Sequence, residues 1–303
     1  MIANASSPLD RLQVFFGEAN PAEARVYARL PHDATTPNLR LEGRVVGPFC
    51  RHSRTLPASI PMRTRAGEGS LLLEATVPDP CFWTSETPML YRVDMTIIDA
   101  SAERASSQRW LGIRPLGVRG RQFFFEGRNW VLRGCQRSGD VENDWTQCRE
   151  QGLACIVSCP NDAILEELSH EGVLIIAQVP SPDELSRLAR WPAVGLAILE
   201  KSVESESNLR AAGPNILLGH SLTDDTSTDV QPWAHFVIAE VSDVDAFVTR
   251  LADCAVPVVA CRRAPGATRA ASARKDCDRL QRDLAGRGAF AGYATLPPLE
   301  SST

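Results

Sequence analysis

Nowhere in these 303 residues does an apolar run approach the roughly 20 residues that a membrane-spanning helix needs. The N-terminus, Met1-Ile2-Ala3-Asn4-Ala5-Ser6-Ser7-Pro8, lacks a basic start followed by an apolar segment, so secretion is not signalled and a cytoplasmic location is expected. Charge blocks are missing too. The 32 basic and 37 acidic residues are interspersed, for a net charge of −5, and no nucleic-acid or membrane-surface partner is expected. The nine cysteines are odd in number and irregular in spacing. Cys155 and Cys159 stand four apart, but no second pair follows at ligand spacing. Reduced thiols are therefore expected, with no metal and no cofactor. No glycine-rich phosphate loop follows Val256–Arg263, since Ala264-Pro265-Gly266 reads as a turn.

What is present suffices for one large core or two ordinary ones, with 44% of residues hydrophobic. No helical period occurs before residue 140. Glu23–Leu30, Leu39–Val46, Ser70–Val77 and Tyr91–Ile98 read as short strands separated by turn-rich stretches. In the last of them Tyr91, Val93, Met95 and Ile97 share one face, the pattern of a half-buried antiparallel strand. Residues 1–117 are expected to form an immunoglobulin-like β-sandwich.

The texture then changes. Apolar strand-like runs begin near Val131, Leu153, Val173, Val194, Asn215, His235, Val256 and Ala289, at intervals near 21 residues except for the longer last one. Amphipathic segments fall between most of them: Val141–Gln151, Asp162–His170, Pro182–Arg190, Ser242–Cys254 and Ala271–Gly286. The helices after the fourth and fifth strands are the weakest, because Thr223–Gln231 has almost no apolar face. Continuous apolar strands alternating with helices mean a parallel sheet covered on both faces. Eight such units close a compact (β/α)₈ barrel, expected over residues 118–303.

Particular residues carry a resemblance. Phe82-Trp83-Thr84-Ser85-Glu86-Thr87-Pro88-Met89-Leu90-Tyr91 resembles the "LWSPENPYLY" turn of family 2 glycoside hydrolases, the β-galactosidase, β-glucuronidase and β-mannosidase group. Leu111-Gly112-Ile113-Arg114 resembles that family's "GFR" strand, and Phe123–Gly134 its entry into the first barrel strand. Pro160-Asn161-Asp162, Leu165–Gly172 and Val173–Pro180 are similar to the second and third barrel units. The family's N-terminal jelly roll has no counterpart in this sequence. The resemblance implies two-carboxylate glycoside chemistry, with one acid/base and one nucleophile about 5–5.5 Å apart in retaining enzymes.

Aligned in this way, the acid/base position falls on Ser202, the asparagine before it on Lys201, and the nucleophile on Arg262. Further site positions fall on Ser138, Cys155, Ser158 and Gln178, where the family has His, Arg, His and Glu. Neither a serine nor an arginine can serve as a carboxylate. The short intervals also leave few residues for the loops that wall an active site. Glu200 and Glu240, at the ends of the fourth and sixth strands, are the candidates for a displaced acid pair. The competing reading makes them solvated acids paired with Lys201 and Arg262. Lys201, Arg262 and Arg263, with Gln178, Ser138 and Ser158, could instead line a pocket for a carbohydrate or an anionic small molecule. Three functions stay open: an inactive relative retained for carbohydrate binding or protein interaction, an active β-glycosidase using Glu200 and Glu240, and a structural or assembly protein with no small ligand. An oligomer is compatible with each.

Smaller signals compete with packing. His220 and Ser221 with Asp224 and Asp225 contain the residue types of a hydrolase triad, without a nucleophile-elbow pattern. Cys261 beside Arg262 and Arg263 could carry a lowered thiol pKa, the alternative being an inert strand cysteine. Trp130, Trp145, Trp191 and Trp233 could stack on a sugar or fill a core.

Overall fold

The computed structural model describes residues 8–31, 39–65, 69–99, 102–137, 145–199, 206–222, 230–265 and 269–298. The chain divides into two compact units, Met1–Ile113 with Ala189–Pro192, and Arg114–Leu188 with Ala193–Thr303.

The first unit is a β-sandwich. Its strands are β1 (Gln13–Ala19), β2 (Glu23–Pro31), β3 (Leu39–Phe49), β4 (Ala58–Pro61), β5 (Arg63–Arg65), β6 (Ser70–Pro78), β7 (Leu90–Asp99) and β8 (Ala102–Leu111). They form two four-stranded antiparallel sheets, ordered β1-β2-β6-β5 and β4-β3-β7-β8. Alternation puts Tyr91, Val93, Met95 and Ile97 into one core with Val26 and Leu30 of β2, Val45 of β3 and Leu73 of β6. The four strands expected from period-two patterning are the central, half-buried ones. Two that carry no such signal, β4 and β5, are short and largely exposed edge strands, positioned by the neighbours they pair with.

Two motifs of the sequence meet in this unit. Trp83, 1% exposed, donates its backbone N–H to the carbonyl of Ile113 at 2.8 Å. The hydroxyl of Tyr91 accepts from the Cys81 amide at 2.8 Å. The turn between them is closed by the Thr87 amide donating to the Thr84 hydroxyl at 2.9 Å.

The second unit is built on a closed barrel of eight parallel strands: β12 (Leu132–Arg137), β13 (Ala154–Ser158), β14 (Ile175–Val179), β15 (Val194–Leu199), β16 (Leu217–Leu222), β17 (Phe236–Glu240), β18 (Val258–Arg263) and β19 (Gly292–Leu296). It is preceded by a small antiparallel sheet of β9 (Leu116–Arg119), β10 (Gln122–Phe125) and β11 (Arg128–Trp130). Every apolar run expected to be a barrel strand is one, because β-branched and small residues buried on both faces satisfy neither an amphipathic helix nor a solvent-facing sheet.

Among the described residues, helices are fewer and shorter than a regular (β/α)₈ pattern predicts. They are α1 (Trp145–Glu150), α2 (Asp162–Glu171), α3 (Leu185–Leu188), α4 (Glu206–Ala212), α5 (Val244–Leu251) and α6 (Ala270–Leu284). Between β16 and β17 no helix occurs among the described residues 230–235, and most of Thr223–Gln231, where a weak helix was expected, lies outside the described residues. The two strongest helices have their causes in the sequence. In α2 the Asn161 side chain caps the Ile164 amide at 2.9 Å, and Gly172 ends the helix in the left-handed conformation at φ 77°. In α6 the buried residues Ala273, Cys277, Leu280 and Leu284 recur at helical spacing. Among the described residues no helix is long and apolar enough to cross a membrane.

The amino-terminal end of the barrel is filled by aromatic packing. Phe236, the first residue of β17, meets Phe123 of β10 edge to face at 5.6 Å between ring centroids. Gly219 on β16 leaves the room for that ring, since a Cβ there would lie 2.5 Å from the Phe236 Cζ. Arg114, 4% exposed, donates Nη2–H to the carbonyls of Val194 at 2.9 Å and Asn215 at 3.3 Å. Burial pushes its pKa down to about 10. Gly195 permits this approach, because a Cβ would stand 3.2 Å from the guanidinium carbon.

Two outcomes are expected. Gly219→Ala should lower the urea midpoint by an amount equivalent to about 1–3 kcal/mol of overpacking with little change in slope, and an unchanged midpoint would contradict the filled interior. Asp94 on β7 accepts from Arg92 at 2.8 Å and from Arg44 at 3.0 Å. Burial raises its carboxyl pKa, but these guanidinium bonds outweigh it and hold the value below the usual one. Asp94 therefore stabilises the fold above about pH 4, and that contribution is lost as pH falls through the depressed value. Asp94→Asn should cost about 0.2–1 kcal/mol at pH 7 and progressively less in acid, measured as Tm against pH.

Candidate functional site

At the carboxyl ends of the barrel strands lies a cavity of about 560 Å³, within the range of about 300–1,000 Å³ usual for small-molecule sites. Strand alternation decides which residues reach it. Gln136 of β12, Gln178 of β14, Ser221 of β16, Glu240 of β17 and Arg263 of β18 supply its polar wall, with Ser242 just beyond β17. Leu222, Ile238 and Leu296 supply apolar surface, and Cys261 completes the β18 contribution. The carboxyl end of such a barrel is where ligand sites are built.

The charges in this wall are paired. The Arg263 Nε lies 2.9 Å from a Glu240 carboxylate oxygen. Arg263 Nη1 also donates to the Pro297 carbonyl at 3.0 Å. Ser158 of β13, the register partner of Gln178, donates its hydroxyl to the Gln178 Oε1 at 2.9 Å. That bond uses the carbonyl end of the amide and fixes the side chain at the rim. Cys261 is pushed up to about 12 by burial, with the Glu240 charge acting in the same direction and Arg263 against it.

No family model and no curated protein matches the sequence. Solved structures do match. A calcium-binding mutant of Bacteroides uniformis beta-glucuronidase 2 is similar with a TM-score of 0.65 at 17% identity, over 95% of this chain and 46% of that one. Bifidobacterium dentium beta-glucuronidase complexed with coumarin-3-O-glucuronide gives 0.64 at 12% identity, over 94% and 59%. A putative beta-galactosidase from Bacteroides fragilis gives 0.61 at 12%, over 98% and 55%. The fold is that of the family 2 glycoside hydrolases. The chain spans about half the length of these enzymes.

Against that fold, the expected positions separate into three groups. Gln178, Glu240 and Arg263 come together at the cavity, with Ser158 bonded to the first of them. Arg262, expected at the mouth in the nucleophile position, does not line it. Its Nη1 lies 2.6 Å from Asp283 of α6, because its neighbours Cys261 and Arg263 occupy the cavity-facing places and alternation turns Arg262 toward the helix. The partner of Glu240 is accordingly Arg263 and not Arg262. Ser138, Glu200, Lys201 and Ser202 lie outside the described residues, as do Asp224 and Asp225.

The competing signals resolve toward packing. His220 Nε2 accepts from the Gln231 amide at 3.3 Å and its ring packs on Trp233 at 5.8 Å, whereas Ser221 lines the cavity. His220 does not line the cavity that Ser221 lines, so the two form no nucleophile–base pair there. Burial holds the His220 pKa below its ordinary value. Trp130 packs on Phe123 and Phe125, each at 6.1 Å. Cys155 is buried and Cys159 exposed, so the four-residue spacing forms no pair. Gln136 and Ser242 were missed, although both sit at the end of a recognised strand.

The thiol of Cys261 stays protonated at pH 8 because its pKa is raised rather than lowered. Iodoacetamide should therefore modify exposed Cys159 while leaving Cys261 intact in the folded chain, as read by peptide mass spectrometry. Fast alkylation of Cys261 would overturn the buried assignment.

Proposed function

We propose that this chain is an immunoglobulin-like sandwich and (β/α)₈ barrel of the glycoside hydrolase type that has lost hydrolysis and keeps the barrel mouth as a binding site for a carbohydrate or sugar acid. One observation carries the proposal. Among the described residues Glu240 is the one carboxylate lining the cavity, and it is engaged by Arg263 at 2.9 Å. A retaining mechanism needs two carboxyl groups about 5–5.5 Å apart, one free to attack and one able to hold a proton. The resemblance supports the same reading, since it implies Ser202 and Arg262, neither of them acidic, at the acid/base and nucleophile positions.

What the mouth retains suits a hydroxylated ligand. Gln136, Gln178, Ser221 and Ser242 offer neutral donors and acceptors, and Leu222, Ile238 and Leu296 offer apolar surface for a pyranose face. Arg263 supplies a positive charge that a sugar carboxylate could share with Glu240. The solved glucuronidase bound to a glucuronide shows that such a fold accommodates a sugar acid in that relative.

The position of Glu240 in the cavity wall favours one alternative, hydrolysis by Glu240 with Glu200. Nitrophenyl β-galactoside, β-glucuronide and β-mannoside separate the two. No turnover is expected. Turnover abolished by Glu240→Gln would replace the binding proposal with the enzymatic one. Glucuronate or galactose should raise Tm, by about 2.7 kcal/mol of stabilisation at 100 times Kd. Arg263→Met should remove the glucuronate response, and Arg262→Met, whose side chain faces α6, should keep it. Identical losses in both variants would contradict the assigned geometry.

A further inference from the structure

The outer side of the same barrel wall carries a second cluster that neither the fold nor the cavity explains. Cys135 on β12 and Cys155 on β13 are register partners, so their side chains leave the same face of the sheet. Gln136, between Cys135 and Arg137, lines the cavity, which assigns the two cysteines and Arg137 to the helix side. Cys148 of α1 meets them there. All three cysteines are 0% exposed, and their sulfur atoms lie within 4.8 Å of one another. Arg137 donates Nη2–H to the Cys148 sulfur at 3.1 Å and Nε–H at 3.4 Å.

Three buried cysteines acting only as small apolar fillers require no cation beside them. A guanidinium donating twice into the cluster favours negative charge on sulfur. A single ion accounts for the arrangement. One divalent cation offsets two of three thiolate charges, and the guanidinium hydrogen bonds to the Cys148 sulfur stabilise the remaining negative charge inside the protein. Sulfurs bound to zinc at about 2.3 Å stand roughly 4 Å apart, so the observed spacing needs a contraction of less than about 1 Å. Softness selects in the same direction, since thiolates prefer zinc-class ions to magnesium or calcium.

We propose that Cys135, Cys148 and Cys155 form a structural site for a thiophilic divalent cation of the zinc class, with Arg137 hydrogen-bonded to the coordinating Cys148 sulfur. Each protonated thiol releases its proton to solvent as its sulfur binds the metal, and no electron is transferred. The site pins α1 to β12 and β13, and full burial means that the ion enters as the chain folds.

The test uses the whole chain, expressed with zinc supplementation and purified under reducing conditions without chelator. Elemental analysis should find about one zinc per chain. Refolding with cobalt(II) should give thiolate-to-cobalt charge-transfer absorption in the near ultraviolet, which needs no variant and so is independent of variant folding. Cys135→Ser, Cys148→Ser and Cys155→Ser should each remove most of the bound metal, and Cys159→Ser should not. Arg137→Met should weaken zinc affinity about 10–100-fold. Metal-free wild-type protein without a cobalt–thiolate band would overturn the proposal. So would metal retained by all three serine variants. A disulfide from Cys148 to Cys135 or Cys155 in metal-free protein would instead assign the cluster to thiol redox chemistry.

Discussion

Closure of eight parallel strands into one cylinder is the constraint on which the rest of the second unit depends. Once β12 pairs with both β13 and β19, each strand has an inside and an outside, and successive residues must alternate between them. On β12 this sends Gln136 to the cavity and Cys135 and Arg137 to the helix side. On β18 it sends Cys261 and Arg263 inward and Arg262 to Asp283. Two sites of different chemistry, a polar mouth and a sulfur cluster, thus arise from neighbouring residues on the same strands.

The two ends of the barrel are treated differently. At the amino end Phe123 and Phe236 fill the interior, and Gly219 leaves space for the ring. There too the buried guanidinium of Arg114 satisfies two carbonyls near the starts of β15 and β16. Such groups tolerate little change, since a displaced ring or an unpaired buried cation has nowhere to go. At the carboxyl end small polar side chains surround open volume. The contrast is that of one scaffold with a packed end and an open, polar-walled end, the end at which barrels of this type can carry ligand sites.

Much of the fold was legible because burial on both faces leaves a strong mark. Val194–Leu199 and Val258–Cys261 are continuous apolar runs that suit a covered parallel strand. The helix expected over Asp162–His170 is α2, Asp162–Glu171, within one residue at its end. Less of the site was legible. Arg262 and Arg263 look equivalent in the sequence, and a shift of one residue exchanges their environments. The cysteine cluster was hidden for a related reason. Its members come from two strands and a helix, so no ligand spacing links them, although Cys135 and Cys155 are separated by about one strand–helix interval.

From the sequence alone came the classes of element and their order, because these depend on local pattern and residue type. Only the tertiary structure decided which side chains share a space: Glu240 with Arg263, Ser158 with Gln178, and three cysteines with Arg137. Those partnerships depend on strand register and on the sense of each strand about the barrel axis. Both are set by long-range closure, which no short window of the chain contains.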